Sequence, residues 1–269
     1  MTTPAARSDK RAGRPRLGLG TVGLAILLAL ATGEVSAELP DTLPRIKPAV
    51  VAIGTLARTR SPAFRFLATG FAVGDGTLIA TNAHVVRRKL DEARLETLAV
   101  ALTDAAGRTQ LRPARELAAD PAHDVALLRI PGPPIAALPL RQADDVREGE
   151  TYAFTGFPLG SVMGLHAATH RALIAAIVPA VIPRGAAREL DADAIRQLEA
   201  DRTPVFQLDA SASPGSSGSP LWDPVRGDVV GLINMVVVKR TRAGPSPEPT
   251  GFSFAVPVRY LRELLRSAR

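Results

Sequence analysis

The amino-acid sequence predicts an all-β fold, a barrel or a sandwich, on three observations. Apolar runs of six to eleven residues recur along most of the chain, they are rich in β-branched residues, and Gly, Pro or Asp bounds them. Runs of that length and composition favour strands over helices. Many strands without long helices between them leave sheet packed on sheet, or a sheet closed on itself, as the way to bury the apolar faces.

The runs fall into two sets. AVVAIGTL (49–56), FLATGFAVG (66–74), TLIATN (77–82), TLAVALTD (97–104) and VALLRI (125–130) make the first. TYAFTGF (151–157), ALIAAIV (172–178), VFQLDA (205–210), DVVGLINMVVV (228–238) and FSFAVP (252–257) make the second. Between them PGPPIAALPL (131–140) is dense in proline and reads as a semi-rigid connector. Helix signals are few: Asp191 is placed to cap a short helix through ADAIRQLEA, and VRYLRELLRSAR at the C-terminus has amphipathic spacing.

The N-terminus is built differently. Its first sixteen residues carry five Lys or Arg against one Asp, and the next seventeen carry no charge. EVSA follows, with small residues at Ser36 and Ala37. Basic region, apolar region and small-residue site are the three parts of a secretory signal peptide, so residues 1–37 are expected to be removed after Ala37. Retention as a membrane anchor is the alternative, and the seventeen-residue run is short for a span. Without an adjacent arginine pair in the basic region, the general secretory route fits better than the twin-arginine one.

With no cysteine among 269 residues, a disulfide framework, a thiolate zinc site and a cysteine nucleophile are excluded. The four histidines are dispersed and no glycine loop marks a strand–helix junction, so neither metal nor cofactor is expected. The net charge of +7 comes mostly from scattered arginines, with the densest cluster in the N-terminal segment. That pattern fits a solvated surface plus a targeting signal, and nucleic acid is not an expected partner.

Three local motifs carry chemistry. ATNAHVV holds His84 at the end of an apolar run, and DPAHDVALL holds Asp124 just before another. LDASASPGSSGSPLW (208–222) packs five serines around Gly215 and Gly218. Each has an ordinary reading: a structural histidine, a strand-edge acid with Asp120 and His123 as competitors, a flexible turn. Their order of base, orienting acid and nucleophile is harder to dismiss, because it is one of the known orders of the Ser-His-Asp constellation. A serine hydroxyl needs a neighbouring base to take its proton, and an imidazole can take it and return it to a leaving amine.

These blocks resemble the trypsin/chymotrypsin-like serine peptidases, in particular the bacterial HtrA/Deg-like branch. IKPAVVAIGT (46–55), ATGFAVGDGTLIATNAHVV (68–86), HDVALLRI (123–130), TGFPLG (155–160), LDASASPGSSGSPLWD (208–223), GDVVGLINMVV (227–237) and FSFAVPVRYL (252–261) carry the likeness. The resemblance implies two six-stranded antiparallel barrels, about 46–130 and about 150–257, within a protease domain over 38–269 that ends in a short helix. It implies a His84–Asp124–Ser217 triad in the cleft between barrels, with the Gly215 and Ser217 N–H groups as oxyanion hole. The implied activity is an exported, periplasmic or secreted endopeptidase acting on unfolded or extended polypeptide through an acyl-enzyme. The alternatives are a chaperone-like or regulatory binding module with a blocked site, and an esterase.

The sequence also departs from the pattern. Ser216 stands where zymogen-activated relatives carry an aspartate, and Ser219 where HtrA enzymes usually carry glycine. Ser211, six residues before the nucleophile, gives the specificity pocket no acid, so a small or medium apolar side chain is the expected preference. Ala212, Asn234 and Met235 are the expected pocket walls. No PDZ domain is expected after Arg269, and 180–203 and 239–251 are expected to sit near the cleft as gating segments.

Overall fold

The computed structural model describes residues 1–2, 39–103, 108–158, 164–180, 203–213, 215–234 and 253–268, and every helix and strand below belongs to the unit running from Ala37 to Arg269. Residues 3–37 of the expected signal segment, the Asp191 helix, most of 180–203 and all of 239–251 lie outside the described residues.

Helix α1 (Leu39–Ile46) leads into strands β1 (Val50–Leu56), β2 (Phe64–Val73) and β3 (Leu78–Thr81). A single helical turn, α2 (Ala83–Val86), follows. Strands β4 (Thr97–Thr103), β5 (Thr109–Pro113), β6 (Arg115–Asp120) and β7 (Val125–Arg129) complete the first sheet. The second contains β8 (Thr151–Gly156), β9 (Ala168–Ala180), β10 (Thr203–Asp209), β11 (Pro220–Trp222), β12 (Val229–Asn234) and β13 (Ser253–Pro257), and α3 (Val258–Ser267) ends the fold.

The second sheet closes into the expected six-stranded barrel, β10-β13-β12-β11-β8-β9. The first, where the other barrel was expected, is a half-barrel: a curled sheet of seven strands in the order β5-β4-β1-β2-β3-β7-β6. Its two outermost strands are nearly continuous in the chain, separated only by Ala114. The 109–120 segment therefore bends at Pro113 and pairs with β4 through one half and β7 through the other. Proline cannot donate to a ladder, which suits a residue at such a corner. The six expected strands and the seven observed differ by that bend.

Each barrel has an apolar interior, and a third cluster joins them. Val51, Ile53, Ile79, Val100 and Leu128 fill the first. Phe154, Ile174, Leu208, Leu221 and Ile233 fill the second. Phe71 and Leu127 from one side meet Trp222, Leu232 and Val256 from the other, together with Tyr260, Leu261 and Leu264 of α3. Trp222 is fully buried and its indole N–H donates to Thr155 Oγ1 at 3.0 Å, so the large ring enters the core without an orphaned donor. The proline-dense connector is fastened by a parallel bridge from Leu140 to Val229 and by Arg141, whose guanidinium meets Asp223 at 2.5 Å and Asp228 at 2.9 Å. The barrels are thus held as one scaffold along the seam where the chemistry-bearing residues meet.

Candidate active site

Strand register brings His84 to Asp124. Strands β3 and β7 pair antiparallel with Thr81 opposite Ala126. His84 lies three residues beyond that pair on one strand, and Asp124 two residues before it on the other. At Asn82 (φ −83°, ψ 148°) the extended chain turns into α2, which lifts His84 off the sheet edge. The Asn82 amide donates to the Asp124 carbonyl at 3.0 Å, tying the two strand ends.

Asp124 is held on several sides. Its Oδ2 lies 2.6 Å from His84 Nδ1, and its Oδ1 accepts the His84 backbone N–H at 2.8 Å. The Asn234 side-chain amide donates to the same Oδ2 at 3.0 Å. The carboxylate is nearly enclosed, whereas the histidine side chain keeps about 34% of its surface exposed. Asp124 also has φ +53°, a left-handed conformation uncommon for a residue with a side chain. Strain of this kind persists where surrounding contacts over-determine it, which is characteristic of functional sites.

The competing acid is occupied elsewhere. Asp120 Oδ2 lies 2.5 Å from His123 Nδ1, and the His123 ring stacks on Tyr260 of α3 at 3.8 Å between centroids. Asp120 and His123 pair with each other, which leaves Asp124 for His84.

Glycine geometry and cross-barrel hydrogen bonds fix residues 215–218 of the serine-rich loop. Gly215 and Gly218 take φ values of +103° and +81°. A Cβ on Gly218 would lie 2.2 Å from the Thr69 carbonyl oxygen, and one on Gly215 would lie 2.7 Å from the Phe66 ring. Only glycine meets both demands. Thr69 of β2 grips the loop twice: its N–H donates to Ser217 O at 3.0 Å and its hydroxyl to Gly215 O at 2.8 Å. From the other barrel Gly218 N–H donates to Ile233 O at 2.9 Å.

This bonding sorts the amides of residues 215–219. Ser216 N–H donates to Ser213 O, Gly218 N–H to Ile233 O, and Ser219 N–H to Ser216 O. Among the described residues, the N–H groups of Gly215 and Ser217 have no acceptor. Backbone donors with φ > 0 at a neighbouring glycine form an anion-binding concavity, and two of them here flank the Ser217 hydroxyl. The 217–218 peptide in turn lies between Thr81, three residues from His84, and Ile233, the neighbour of Asn234. Three segments distant in sequence therefore converge on one seam. Among the described residues Ser217 Oγ and the His84 ring share no hydrogen bond, and resting catalytic contacts commonly tighten only with substrate.

A family model described as "Trypsin-like peptidase domain" matches residues 68–232, well over half of the chain. The chain belongs to the trypsin-like peptidase family. A probable periplasmic serine endoprotease, DegP-like, from Ectopseudomonas mendocina is 32% identical over 192 residues, covering 71% of this chain and 33% of the relative. The mitochondrial serine protease HTRA2 of Bos taurus is 31% identical over 235 residues, covering 84% of this chain and 42% of the relative. The chain thus spans between a third and a half of the length of these curated relatives. Among solved structures, an HtrA-type protease with a tripeptide superposes with a TM-score of 0.59 at 21% identity, covering 85% of this chain and 62% of the other. Deg5 superposes at 0.58 and 22% identity, covering 83% and 90%. At that identity the likeness concerns the fold, and it matches the barrel pair described above.

Within this trypsin-like frame the expected pocket residues separate. Ser211 is exposed and Ala212 is packed into the second barrel's core. Asn234, expected on a pocket wall, is instead fully buried with its amide on the Asp124 carboxylate. The inward face of β12 at that register points at the seam, so the side chain reaches the aspartate. Met235 lies outside the described residues. Sequence reading missed Asn82 and Thr69, which position Asp124 and the loop. Both sit inside quoted motifs, Asn82 in ATNAHVV and Thr69 in FLATGFAVG, yet Thr and Asn are common enough that spacing alone gave no signal. Among the described residues no group of three His, Asp or Glu side chains is arranged to hold a metal ion.

Proposed function

We propose that this chain is an exported serine endopeptidase that cleaves peptide bonds of unfolded or extended polypeptides through Ser217, His84 and Asp124. The observation that carries the reading is a pair of N–H groups, at Gly215 and Ser217, without an acceptor among the described residues, together with a histidine whose Nδ1 faces a buried carboxylate. A donor pair of that kind suits the oxygen that becomes negative when a carbonyl is attacked.

In the reaction Ser217 Oγ attacks the scissile carbonyl carbon while His84 Nε2 takes the hydroxyl proton. Asp124 keeps Nδ1 protonated and stabilises the imidazolium. The Gly215 and Ser217 amides bind the oxyanion, where one donor is worth roughly 10²–10³ in rate. His84 returns its proton to the amide nitrogen as the C–N bond breaks, releasing the amine and leaving an ester on Ser217. Water activated by the same histidine then hydrolyses that ester. An extended peptide fits a cleft between barrels because it can pair with an exposed strand edge.

Export is supported by the basic and apolar N-terminal segment ending at Ala37, and by the word "periplasmic" in the names of the DegP-like relatives. A fluorophosphonate probe tests the chemistry. The expected result is a single adduct on Ser217, absent in Ser217→Ala, with casein cleaved by the unmodified protein. A folded protein that forms no adduct overturns the reading, and ester turnover without casein cleavage would make it an esterase.

A further inference from the structure

A cavity of about 630 Å³ is walled by Arg65 and Leu67 of β2 and by Arg88, Lys89, Leu90 and Glu92 of the segment following α2. Its floor is apolar, since Leu67 and Leu90 pack partly buried against the first barrel's core. Its rim is cationic. Arg65, Arg88 and Lys89 are exposed, and among the described residues none of the three has a carboxylate partner.

The acids at the same wall are mostly committed. Asp91 accepts the Arg94 N–H and faces the Arg94 guanidinium at 3.4 Å. Glu96 is held by the Thr55 hydroxyl at 2.5 Å and by Arg60 at 2.6 Å. Among the described residues Glu92 is the acid of this wall with no cation held to it, against three such cations.

The cavity's place in the fold gives it a role. Strand β2 runs from it to the nucleophile loop: Phe66, on the strand face opposite Arg65 and Leu67, approaches Gly215, and Thr69 bonds Ser217 O. On its other flank Arg88 follows His84 by four residues, just past α2. The histidine must deliver its proton to the departing amine. That amine, and the chain attached to it, must therefore leave over the His84 side, and the cavity's wall begins four residues past His84. An extended chain advances about 3.3 Å per residue, so the first few residues after the cut span it.

We propose that this cavity receives the substrate residues that follow the scissile bond, and that Arg65, Arg88 and Lys89 select carboxylate side chains among them. This rests on the serine-endopeptidase reading above. Exposed ion pairs supply at most about 1 kcal/mol, so the expected preference is about fivefold, and salt screens it.

The test digests reduced, alkylated serum albumin with the full chain and maps the cleaved bonds by mass spectrometry. Asp and Glu should be enriched about fivefold over the albumin average within the first three residues after each cut at low ionic strength. The enrichment should shrink in 0.5 M salt. In the triple variant Arg65→Glu, Arg88→Glu, Lys89→Glu it should vanish or turn toward Lys and Arg. Identical cleavage patterns for both proteins overturn the proposal. Fluorophosphonate labelling involves no leaving peptide, so it reads Ser217 independently of the cavity and verifies that the variant is folded. Labelling without a charge preference overturns the cavity's role alone, whereas absence of labelling in the unmodified protein overturns both readings.

Discussion

Asp124 holds His84 at two atoms of different kinds: Oδ2 lies 2.6 Å from the ring Nδ1, and Oδ1 accepts the backbone N–H of the same residue at 2.8 Å. The first contact commits Nδ1 to the carboxylate, which in the proposed mechanism leaves Nε2 to take the proton of Ser217. The second fixes where the ring begins, so one carboxylate controls both the tautomer and the position of the proposed base.

Replacing Asp124 by Asn separates these functions. Asparagine tolerates the left-handed backbone at this position, so the fold should survive. Asparagine has only one acceptor oxygen: if it keeps the His84 backbone N–H, its NH2 faces Nδ1 and donates to it, and the ring takes the wrong tautomer. The expected result is a fall in kcat of about 10⁴, the size found for the equivalent change in the serine-protease template. Peptide-cleavage kinetics with circular dichroism on the same preparation checks it. A loss under tenfold would exclude Asp124 as the orienting acid.

Asn234→Leu removes a donor from Oδ2 inside a fully buried environment. Leaving an acceptor short of a partner there costs about 1–3 kcal/mol, or roughly 2–12 °C in Tm for a domain of this size. Thermal unfolding should fall by that amount, and kcat should fall with it because the carboxylate is less fixed. A variant with wild-type Tm and kcat would return Asn234 to the pocket wall suggested by sequence.

The contrast between these residues shows what was legible beforehand. The strand runs, the C-terminal helix and the His84, Asp124 and Ser217 motifs could be read because apolar patterning and local motifs are properties of contiguous residues. Strands β5 and β6 were not read: TQLRP and RELAAD are mostly exposed, and they are strands only because β4 and β7 offer open edges. Strand β11 has three residues and is set by its two neighbours. Asn234 and Thr69 act across the seam between barrels, and a contact spanning 110 residues leaves no local pattern.

Gly215→Ala and Gly218→Ala should fail in different ways. At 215 an added Cβ would press on the Phe66 ring at 2.7 Å and the Phe157 carbonyl at 2.8 Å, turning the free N–H away from its line. The protein should stay folded and lose about 10²–10³ in kcat, the worth of one oxyanion donor. At 218 the clash is with the Thr69 carbonyl at 2.2 Å and Thr81 Oγ1 at 2.4 Å, both in the first barrel. That change should lower Tm as well as activity. Equal Tm losses for the two variants would contradict this division.

Arg141 predicts a stability effect remote from the chemistry. Its nearly buried guanidinium bridges Asp223 and Asp228 and fastens the connector to the second barrel. The same arrangement holds Asp223 below its ordinary 3.8: burial opposes the charge, but backbone N–H donors at Arg226 and Val225, and Arg141 itself, outweigh it. Arg141→Met leaves two partly buried carboxylates without their cation, Asp223 keeping its two backbone donors, a cost of about 3–5 kcal/mol. Tm should drop by roughly 6–20 °C, while kcat of the folded fraction at 20 °C stays within about twofold. A Tm unchanged by the substitution would show that solvent, not Arg141, satisfies these acids.

Acid stability tests the bracing of the loop that follows His84. The Thr55 hydroxyl is the strongest influence on Glu96, followed by the Asp91 N–H and Arg60, and together they hold its carboxyl from the ordinary 4.5 down to about 2. A depressed carboxyl stabilises the fold when ionised, so its contribution is complete above pH 4.5 and is lost as pH falls toward 2. Removing the charge with Glu96→Gln should therefore lower Tm at pH 6 but much less at pH 2.5, where the parent carboxyl is itself becoming protonated. The side chain is partly open to water, so the difference at neutral pH is smaller than the shift alone would give. Because Glu96 also engages Asp91 N–H, the residues from Arg88 to Glu92 should lose order over the same pH range, which amide exchange can follow. Parallel Tm curves for parent and variant from pH 6 to 2.5 would mean that the carboxylate does not brace this loop.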